Sequence, residues 1–227
     1  MLPIPGCCWL CLMPLALHQQ GICSACYRQL PERPAACPRC GLPAAHARSE
    51  CGRCLQRPPP WQALVAVGDY QPPLTQLVAQ LKFHHRTALS VMLARLILLS
   101  WLEQRRRRLL IRPHLVLPVP LYPRRAWQRG FNQTELLAQP LAHWLACDWQ
   151  PGALRRRRAA SVQHQLTARA RRRNLRGAFS LEIPVRGRHI ALVDDVVTTG
   201  STVGEISRLL LAAGAASVQI CCLCRTL

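Results

Sequence analysis

The sequence predicts an α/β protein, in which a domain built on a mainly parallel sheet follows a small cysteine-rich module. Three observations support this fold class. Eight of the 13 cysteines form four Cys-x-x-Cys pairs near the N-terminus, three prolines follow at 58–60, and strand-like and helix-like apolar segments then alternate to the end of the chain. Alternation of this kind is typical of a parallel sheet covered by helices.

The four cysteine pairs share one spacing and predict two metal sites. A Cys-x-x-Cys turn directs two sulfurs at one point, and two turns separated by about 10 to 20 residues close a tetrahedral thiolate site for zinc. Eleven residues separate the first two pairs and ten separate the last two, so we expect sequential pairing, with two structural zinc ions in a double zinc ribbon. The eight ligands are Cys8, Cys11, Cys23, Cys26, Cys37, Cys40, Cys51 and Cys54.

Other interpretations of the cysteine module are less favoured. A disulfide framework would need an oxidising compartment, and catalytic zinc would need an open position that four thiolates leave closed. Cys7 is an alternative to Cys8 at a less regular spacing. So short a module cannot build a sufficient core without metal, and a chelator is therefore expected to unfold residues 1–56. Its arginines suit either a docking surface or a solvated one: Arg28, Arg33, Arg39, Arg48, Arg53 and Arg57.

The three prolines divide the chain into two predicted domains, 1–57 and 61–227. In the second domain we predict strands over 64–68, 114–120, 190–193 and 217–223. Helices are predicted over 73–83, 87–108, 134–146 and 202–213, where apolar residues recur at helical spacing. The remaining cysteines stand among apolar residues and are predicted to be buried thiols: Cys147, Cys221, Cys222 and Cys224.

The charge of the chain favours an anionic partner. Thirty basic residues, 29 of them arginine, stand against ten acidic ones and give a formal charge of +20. Two tetrathiolate zinc sites at about −2 each would reduce it to about +16. Half of the residues are apolar, which excludes a disordered polycation. Because no segment is long and apolar enough to span a bilayer, we expect a cytoplasmic protein.

The most informative segment is HIALVDDVVTTGST at 189–202, where an apolar strand runs into two aspartates, a hydroxyl-rich loop and a helix. Ligands of open α/β sheets lie beyond the carboxyl ends of strands. The loop and the helix start can surround a phosphate, whereas Asp194 and Asp195 would repel one and suit sugar hydroxyls or a Mg²⁺ ion. A phosphorylated ribose satisfies both halves. The loop residues are Thr198, Thr199, Gly200, Ser201 and Thr202.

This order of residues resembles the signature of the type I phosphoribosyltransferases over all of 189–202. The resemblance implies their fold and a Mg²⁺-dependent site for phosphoribosyl pyrophosphate. It also implies that Asp194 and Asp195 contact the ribose hydroxyls and that residues 198–202 hold the 5′-phosphate. The alternative is an acidic strand end followed by a capped helix that binds no ligand.

Further polar residues extend the resemblance over nearly the whole chain. Guanidinium and amide donors follow the strand predicted at 114–120, where they could reach a pyrophosphate or an acceptor. With the four-pair cysteine module, these features resemble the ComF/GntX family, which implies a role in DNA uptake or in the use of DNA as a nutrient, with DNA and DNA-processing proteins as partners. The residues are Arg124, Arg125, the segment RGFNQ at 129–133, Gln163, Leu166, Arg171, Asn174 and the segment GAF at 177–179.

Two residues are candidates for contacting the pyrophosphate, and each has a structural alternative. Lys82 is the only lysine and lies in a Leu-Lys-aromatic segment that resembles the family's, but a surface lysine that snorkels is the alternative. Arg129, with its neighbours in RGFNQ, could instead anchor a loop. The arginine runs 105–108, 155–158 and 171–173 are either phosphate contacts or solvated surface. Trp127 and Phe131 are the better candidates for stacking on a base.

Two functions are compatible with these features. One is an accessory protein of DNA use that binds a phosphoribosyl ligand or a nucleotide. The other is a transferase that displaces pyrophosphate from phosphoribosyl pyrophosphate with a base or an amine. A transferase needs a pocket for that nucleophile, and the sequence indicates none unless the cysteine module covers the site.

Overall fold

One parallel sheet organises the part of the chain that the structure describes. This computed structural model describes residues 6–17, 21–31, 35–46, 49–108, 110–122, 127, 129–157 and 175–226. The strands are β1 (Ala63–Asp69), β2 (Leu115–Pro118), β3 (Asp148–Trp149), β4 (Leu154–Arg156), β5 (Phe179–Leu181), β6 (His189–Val197) and β7 (Ser217–Arg225). Five of them form the sheet in the order β1-β7-β6-β2-β3, all parallel. β4 and β5 form a separate antiparallel pair.

Helices cover both faces of the sheet. Two short helices, α1 (Ser24–Arg28) and α2 (Gly52–Gln56), lie among the cysteine pairs. The helices that cover the sheet are α3 (Leu74–Phe83), α4 (Leu89–Arg108), α5 (Gln133–Trp144) and α6 (Ser201–Ala212). Residues of β1 alternate between two cores: Val65 packs with α3, α4 and α5, whereas Leu64 packs with α6. This alternation follows from the two-residue repeat of a strand, and it explains why the strands are apolar without interruption.

The fold class that the sequence predicts is confirmed, and the largest difference in a strand boundary concerns β6. The prediction ended this strand at Val193, where the apolar run ends, but the strand continues to Val197. It continues because β7 still pairs with it, Asp194 opposite Cys222 and Val197 opposite Arg225. Both aspartates therefore belong to a strand. The sequence did not predict β3, β4 and β5, which have only two or three residues each.

The first cysteine segment shares a core with the α/β domain. Cys8, Leu15 and Ile22 are buried in the same cluster as Met92 of α4. Gly21 fits closely there, because a Cβ atom on it would lie 2.5 Å from the Met92 Cβ. The division of the chain at 58–60 remains a prediction from the sequence. None of the described helices is long and apolar enough to cross a membrane.

We expect Ile22→Ala to destabilise the whole protein. Ile22 is 1% exposed, and truncation of a buried isoleucine costs about 2–5 kcal/mol. Urea unfolding followed by circular dichroism should show a single transition at a lower midpoint. Leu17→Ala is the control, because Leu17 is exposed and its loss should change the free energy of unfolding by less than about 0.5 kcal/mol. A variant in which the transition of the α/β domain does not move would contradict the shared core.

Candidate functional site

The candidate site lies where β6 and β2 end at their carboxyl termini. Pro118 of β2 pairs with Val193 of β6, so the polar residues after both strands share one edge of the sheet. Helix α5 begins near this edge at Gln133, and α6 begins at Ser201. This is the position at which open α/β sheets bind ligands.

Asp195 is the more buried of the two aspartates, and both of its carboxylate oxygens have polar partners. Its side chain is 6% exposed, and its Oδ2 lies 2.8 Å from Lys82 Nζ, at the end of α3. Gln133 Nε2 donates to the same oxygen at 2.6 Å, and the backbone N–H of Val196 donates to Oδ1 at 2.6 Å. Lys82 is therefore directed into the site, and the snorkelling alternative does not describe it. The ion pair and the hydrogen bonds offset the cost of burying this carboxylate.

The segment RGFNQ divides into two roles. Arg129 donates to Gln133 Oε1, which connects its guanidinium to Asp195 through the Gln133 amide, and it lies 5.6 Å from the centre of the Phe83 ring. Asn132 instead caps α5, because its Oδ1 accepts from the backbone N–H of Thr134 and its Nδ2 donates to the Val119 carbonyl. The structural alternative thus describes Asn132, whereas Gln133 contacts Asp195 and Arg129 contacts Gln133.

Asp194 differs from its neighbour because no ion pair joins it to a basic side chain among the residues that the structure describes. It is half-buried, and its Oδ1 accepts from the backbone N–H of Asp195 at 2.9 Å. Burial, and then the negative charge of Asp195, raise its pKa to about 7, and Lys82 opposes part of this shift. Asp194 therefore exchanges its proton near neutral pH.

The loop after β6 turns tightly at Gly200. This residue has a φ of +73°, a conformation that favours glycine, and a Cβ atom on it would lie 2.9 Å from the Trp61 ring. Thr198 and Thr199 are exposed, Ser201 is buried and Thr202 is half-buried. The Thr199 and Ser201 hydroxyls are 2.8 Å apart, and the backbone N–H of Ser201 donates to Thr199 Oγ1. The five predicted loop residues thus form one turn at the start of α6.

The cysteines meet in two groups that could hold metal ions. Within each group the four sulfurs lie within 4.8 Å of one another, and the first group contains Cys8, whereas Cys7 is exposed and lies outside it. We call these groups the first cysteine group (Cys8, Cys11, Cys23 and Cys26) and the second cysteine group (Cys37, Cys40, Cys51 and Cys54).

The pKa values of the cysteine thiols in these groups are shifted in opposite directions. Burial alone would raise the pKa of Cys8, but backbone N–H groups, including those of Cys11 and Cys23, lower it to about 6. In the same way the pKa of Cys37 falls to about 7. Burial and neighbouring sulfurs raise the pKa of Cys26 to about 12. A bound cation would remove this conflict among crowded thiolates, which is what a tetrahedral zinc site does.

The sequence did not single out Arg225 and Trp61, which connect the second cysteine group to the loop. Arg225 Nε donates to the Cys40 carbonyl at 2.9 Å, and Trp61 Nε1 donates to the Arg39 carbonyl at 2.5 Å. A cavity of about 290 Å³ lies between this group and the loop. An arginine directly after the apolar run 220–224 was the signal that the sequence offered for Arg225. Four arginines border the cavity, namely Arg53, Arg57, Arg208 and Arg225.

Several predicted residues cannot be placed at the site. Trp127 is 85% exposed, and Phe131 packs edge-on against His85. Arg105, Arg106 and Arg107 are exposed at the end of α4, as are Arg155 on β4 and Arg157 directly after it, and binding by these runs remains a prediction. The others lie outside the described residues: Arg33, Arg48, Arg124, Arg125, Arg158, Gln163, Leu166, the run 171–173 and Asn174.

Comparison with known proteins supports the fold class. Residues 136–227 match the family model described as a phosphoribosyl transferase domain, and this part of the chain contains β6, the loop and α6. The structure of a purine phosphoribosyltransferase from Pyrococcus horikoshii Ot3 aligns at 15% identity with a TM-score of 0.36, over 57% of this chain and 69% of that one. The family model places residues 136–227 in the phosphoribosyltransferase-fold class.

Relatives over the full length place the chain more narrowly. It is 59% identical to the DNA utilization protein YhgH of Salmonella typhimurium (strain LT2) and 58% identical to that of Escherichia coli (strain K12), with 100% of each chain covered. Competence protein F of Haemophilus influenzae is 39% identical over 92% of this chain and 93% of its own. The chain belongs to this ComF family of DNA-utilization and competence proteins.

We expect Asp194→Asn to change how stability depends on pH. Because the raised pKa makes the folded state bind a proton more tightly than the unfolded chain, the free energy of unfolding falls as pH rises from about 4 to about 7. The variant lacks this ionisation and should therefore gain stability relative to the parent protein, on the order of 2 kcal/mol, between about pH 5 and about pH 8. Urea unfolding at several pH values measures the difference.

Asp148→Asn is the matched control. Asp148 is exposed and pairs with Arg188 at 2.6 Å, so the same chemical change should not produce a gain at high pH. Equal pH profiles for the two variants would show that Asp194 ionises as an ordinary aspartate.

Proposed function

We propose that this protein binds a phosphorylated ribose, phosphoribosyl pyrophosphate with Mg²⁺, and acts in the cytoplasm in DNA uptake or in the use of DNA as a nutrient. The names of its full-length relatives support the process, and the matched phosphoribosyl transferase domain supports the ligand class. The observation that supports the site most is the pair of unequal carboxylates directly before the phosphate loop. Asp195 is buried against Lys82, whereas Asp194 forms no ion pair within the described part of the chain.

The two carboxylates have different parts in this proposal. Lys82 and Gln133 compensate Asp195, so a polyanionic ligand would not approach two uncompensated charges. Asp194 presents its carboxylate to the edge of the sheet, where it can accept hydrogen bonds from ribose hydroxyls or contribute to a Mg²⁺ site. Arg129, one hydrogen bond further from Asp195, is the candidate for contacting the pyrophosphate together with Lys82.

The loop would hold the 5′-phosphate. Gly200 lets the backbone turn, and the amides at the start of the 12-residue helix α6 favour an anion. The exposed hydroxyls of Thr198 and Thr199 can donate to it, and Ser201 and Thr202 complete the turn.

Structural zinc in both cysteine groups is part of this proposal. Backbone N–H groups of Cys23 and Cys51 donate to the sulfurs of Cys8 and Cys37 at 3.4 and 3.3 Å, the kind of contact that favours thiolates. Four sulfurs would fill the coordination of each ion and leave no position for a substrate.

Calorimetry with phosphoribosyl pyrophosphate and Mg²⁺ tests the site. We expect the parent protein to bind, and the double variant Asp194→Asn, Asp195→Asn to bind at least tenfold more weakly, because a good hydrogen bond to a charged group contributes about 1.5–3 kcal/mol. Asp148→Asn is the control and should bind as the parent does. Circular dichroism should show that the double variant is folded, and unchanged binding by it would refute the assignment.

An active transferase is the second candidate, and the cavity beside the loop favours it. The second cysteine group covers this side of the loop, which supplies the enclosing element that a nucleophile pocket needs. The volume of this cavity, about 290 Å³, is near the lower end for small-molecule sites. In such a reaction a nitrogen of a base or amine bonds to ribose C1′, the bond from C1′ to the pyrophosphate oxygen breaks, and the nitrogen loses a proton to solvent.

Release of pyrophosphate decides between the two functions. The protein is incubated with phosphoribosyl pyrophosphate, Mg²⁺ and, in turn, each nucleobase or ammonia, and pyrophosphate is measured by a coupled assay. A transferase should give a rate at least tenfold above that of the Asp194→Asn, Asp195→Asn variant. Binding in calorimetry without release by any of these nucleophiles would favour the accessory function.

A further inference from the structure

We propose that the second cysteine group, when it holds its metal, positions the phosphate loop, and that Arg225 and Trp61 are the positioning residues that connect the two. The effect on ligand affinity rests on the proposed function, whereas the effect on the loop itself does not. Neither residue belongs to the predicted ligand set or to the predicted metal ligands.

The connection begins at the turn between Cys37 and Cys40. Three consecutive backbone carbonyls of this turn accept hydrogen bonds from the α/β domain. Pro38 accepts from the backbone N–H of Leu64 at 3.0 Å, Arg39 accepts from Trp61 Nε1, and Cys40 accepts from Arg225 Nε. Because Cys37 and Cys40 are both metal ligands of one group, closing that site fixes the direction of these carbonyls.

Arg225 connects this turn to the end of β6 and the first residue of the loop. It is 6% exposed, and besides the Nε bond to the Cys40 carbonyl, its Nη1, with two N–H donors, lies within hydrogen-bond distance of the carbonyls of Val197, Thr198 and Thr226. Val197 ends β6 and pairs with Arg225 in the sheet, and Thr198 begins the loop. A guanidinium has donors in a fixed planar arrangement, so one side chain can hold the turn and the loop at a set separation.

Trp61 contacts the other end of the loop. Its ring lies against Gly200 and Gly204, where added Cβ atoms would be 2.9 and 3.3 Å from ring carbons. The indole has a single N–H donor, and its bond to the Arg39 carbonyl sets the orientation of the ring. Arg225 and Trp61 are therefore both bonded to the turn between Cys37 and Cys40. Arg225 contacts the loop at Thr198, and Trp61 contacts it at Gly200.

The first cysteine group provides an internal control. Its segment packs against α4 through Ile22 and Met92, in the core on the face of the sheet opposite α6. Loss of metal from either group would cost stability, but we expect only the second group to control the loop. Cys11→Ser and Cys51→Ser each remove one sulfur, from the first and the second group respectively.

Hydrogen exchange read by mass spectrometry tests this inference on the full-length protein. Native mass spectrometry should show that each serine variant has lost one metal ion. In Cys51→Ser we expect amides of residues 198–201 to exchange at least tenfold faster than in the parent protein, whereas in Cys11→Ser they should stay within twofold. Equal acceleration in both variants, or an unchanged loop in Cys51→Ser after metal loss, would overturn the proposal.

Arg225→Lys tests the connection without touching a metal ligand, and it keeps the experiment informative if Cys51→Ser does not fold. A lysine keeps the charge but cannot reach the carbonyls of Cys40 and of the loop together. We expect this variant to retain two metal ions and to remain folded by circular dichroism, yet to show faster exchange at 198–201 and at least tenfold weaker binding of phosphoribosyl pyrophosphate. Normal exchange in this variant would contradict the role of Arg225.

The two proposals fail in different ways. If the parent protein does not bind phosphoribosyl pyrophosphate but the loop responds to Cys51→Ser and not to Cys11→Ser, the ligand assignment is wrong and the positioning role stands. If the parent protein binds phosphoribosyl pyrophosphate and the loop does not respond to Cys51→Ser, the ligand assignment stands and the positioning role is wrong.

Discussion

Parallel pairing of β6 with β7 beyond the apolar core is the constraint on which the rest of the site depends. The ladder continues to Val197 opposite Arg225, past the point at which the sequence of β6 stops being apolar. This continuation keeps Asp194 and Asp195 in extended backbone, so that their side chains point to different surroundings. It also places the start of the loop beside the last buried residue of β7. If this pairing ended earlier, the two carboxylates would not be held in different surroundings, and Arg225 would not contact Thr198.

Lys82, the single lysine of an arginine-rich chain, is the cation beside the buried Asp195. A buried carboxylate at a strand end needs a cation, and Lys82 approaches it from the last turn of α3 while Gln133 occupies the adjacent direction. An ammonium is a compact charge that fits beside an amide at one oxygen, whereas a guanidinium is a planar fork that prefers both oxygens of a carboxylate. Since Val196 already donates to Oδ1 of Asp195, the lysine suits this geometry better.

Local signals in the sequence predicted the fold class, the eight main elements and the grouping of the cysteines. Their periods and spacings act over a few residues, and they pointed to the loop around Gly200 and to Lys82 as a candidate, but they left Cys7 as an alternative to Cys8. What they missed depends on contacts between distant segments. Trp61 meets Gly200 across 139 positions, and Arg225 meets Cys40 across 185. Likewise, the difference between Asp194 and Asp195 arises from α3 and α5, and nothing in the pair itself indicates which of the two is compensated.

The cysteines of β7 have a consequence for the chemistry of oxidation. Cys221 and Cys222 are adjacent, but they point into the two different cores, so they are poorly placed to join in a disulfide. Burial raises the pKa of Cys221 to about 12, which keeps it as an unreactive thiol. Cys7 and Cys11, in contrast, are exposed near the N-terminus. Peroxide or other oxidants would therefore reach the N-terminal sulfurs first, and the central strands would stay chemically intact after those sulfurs had been modified.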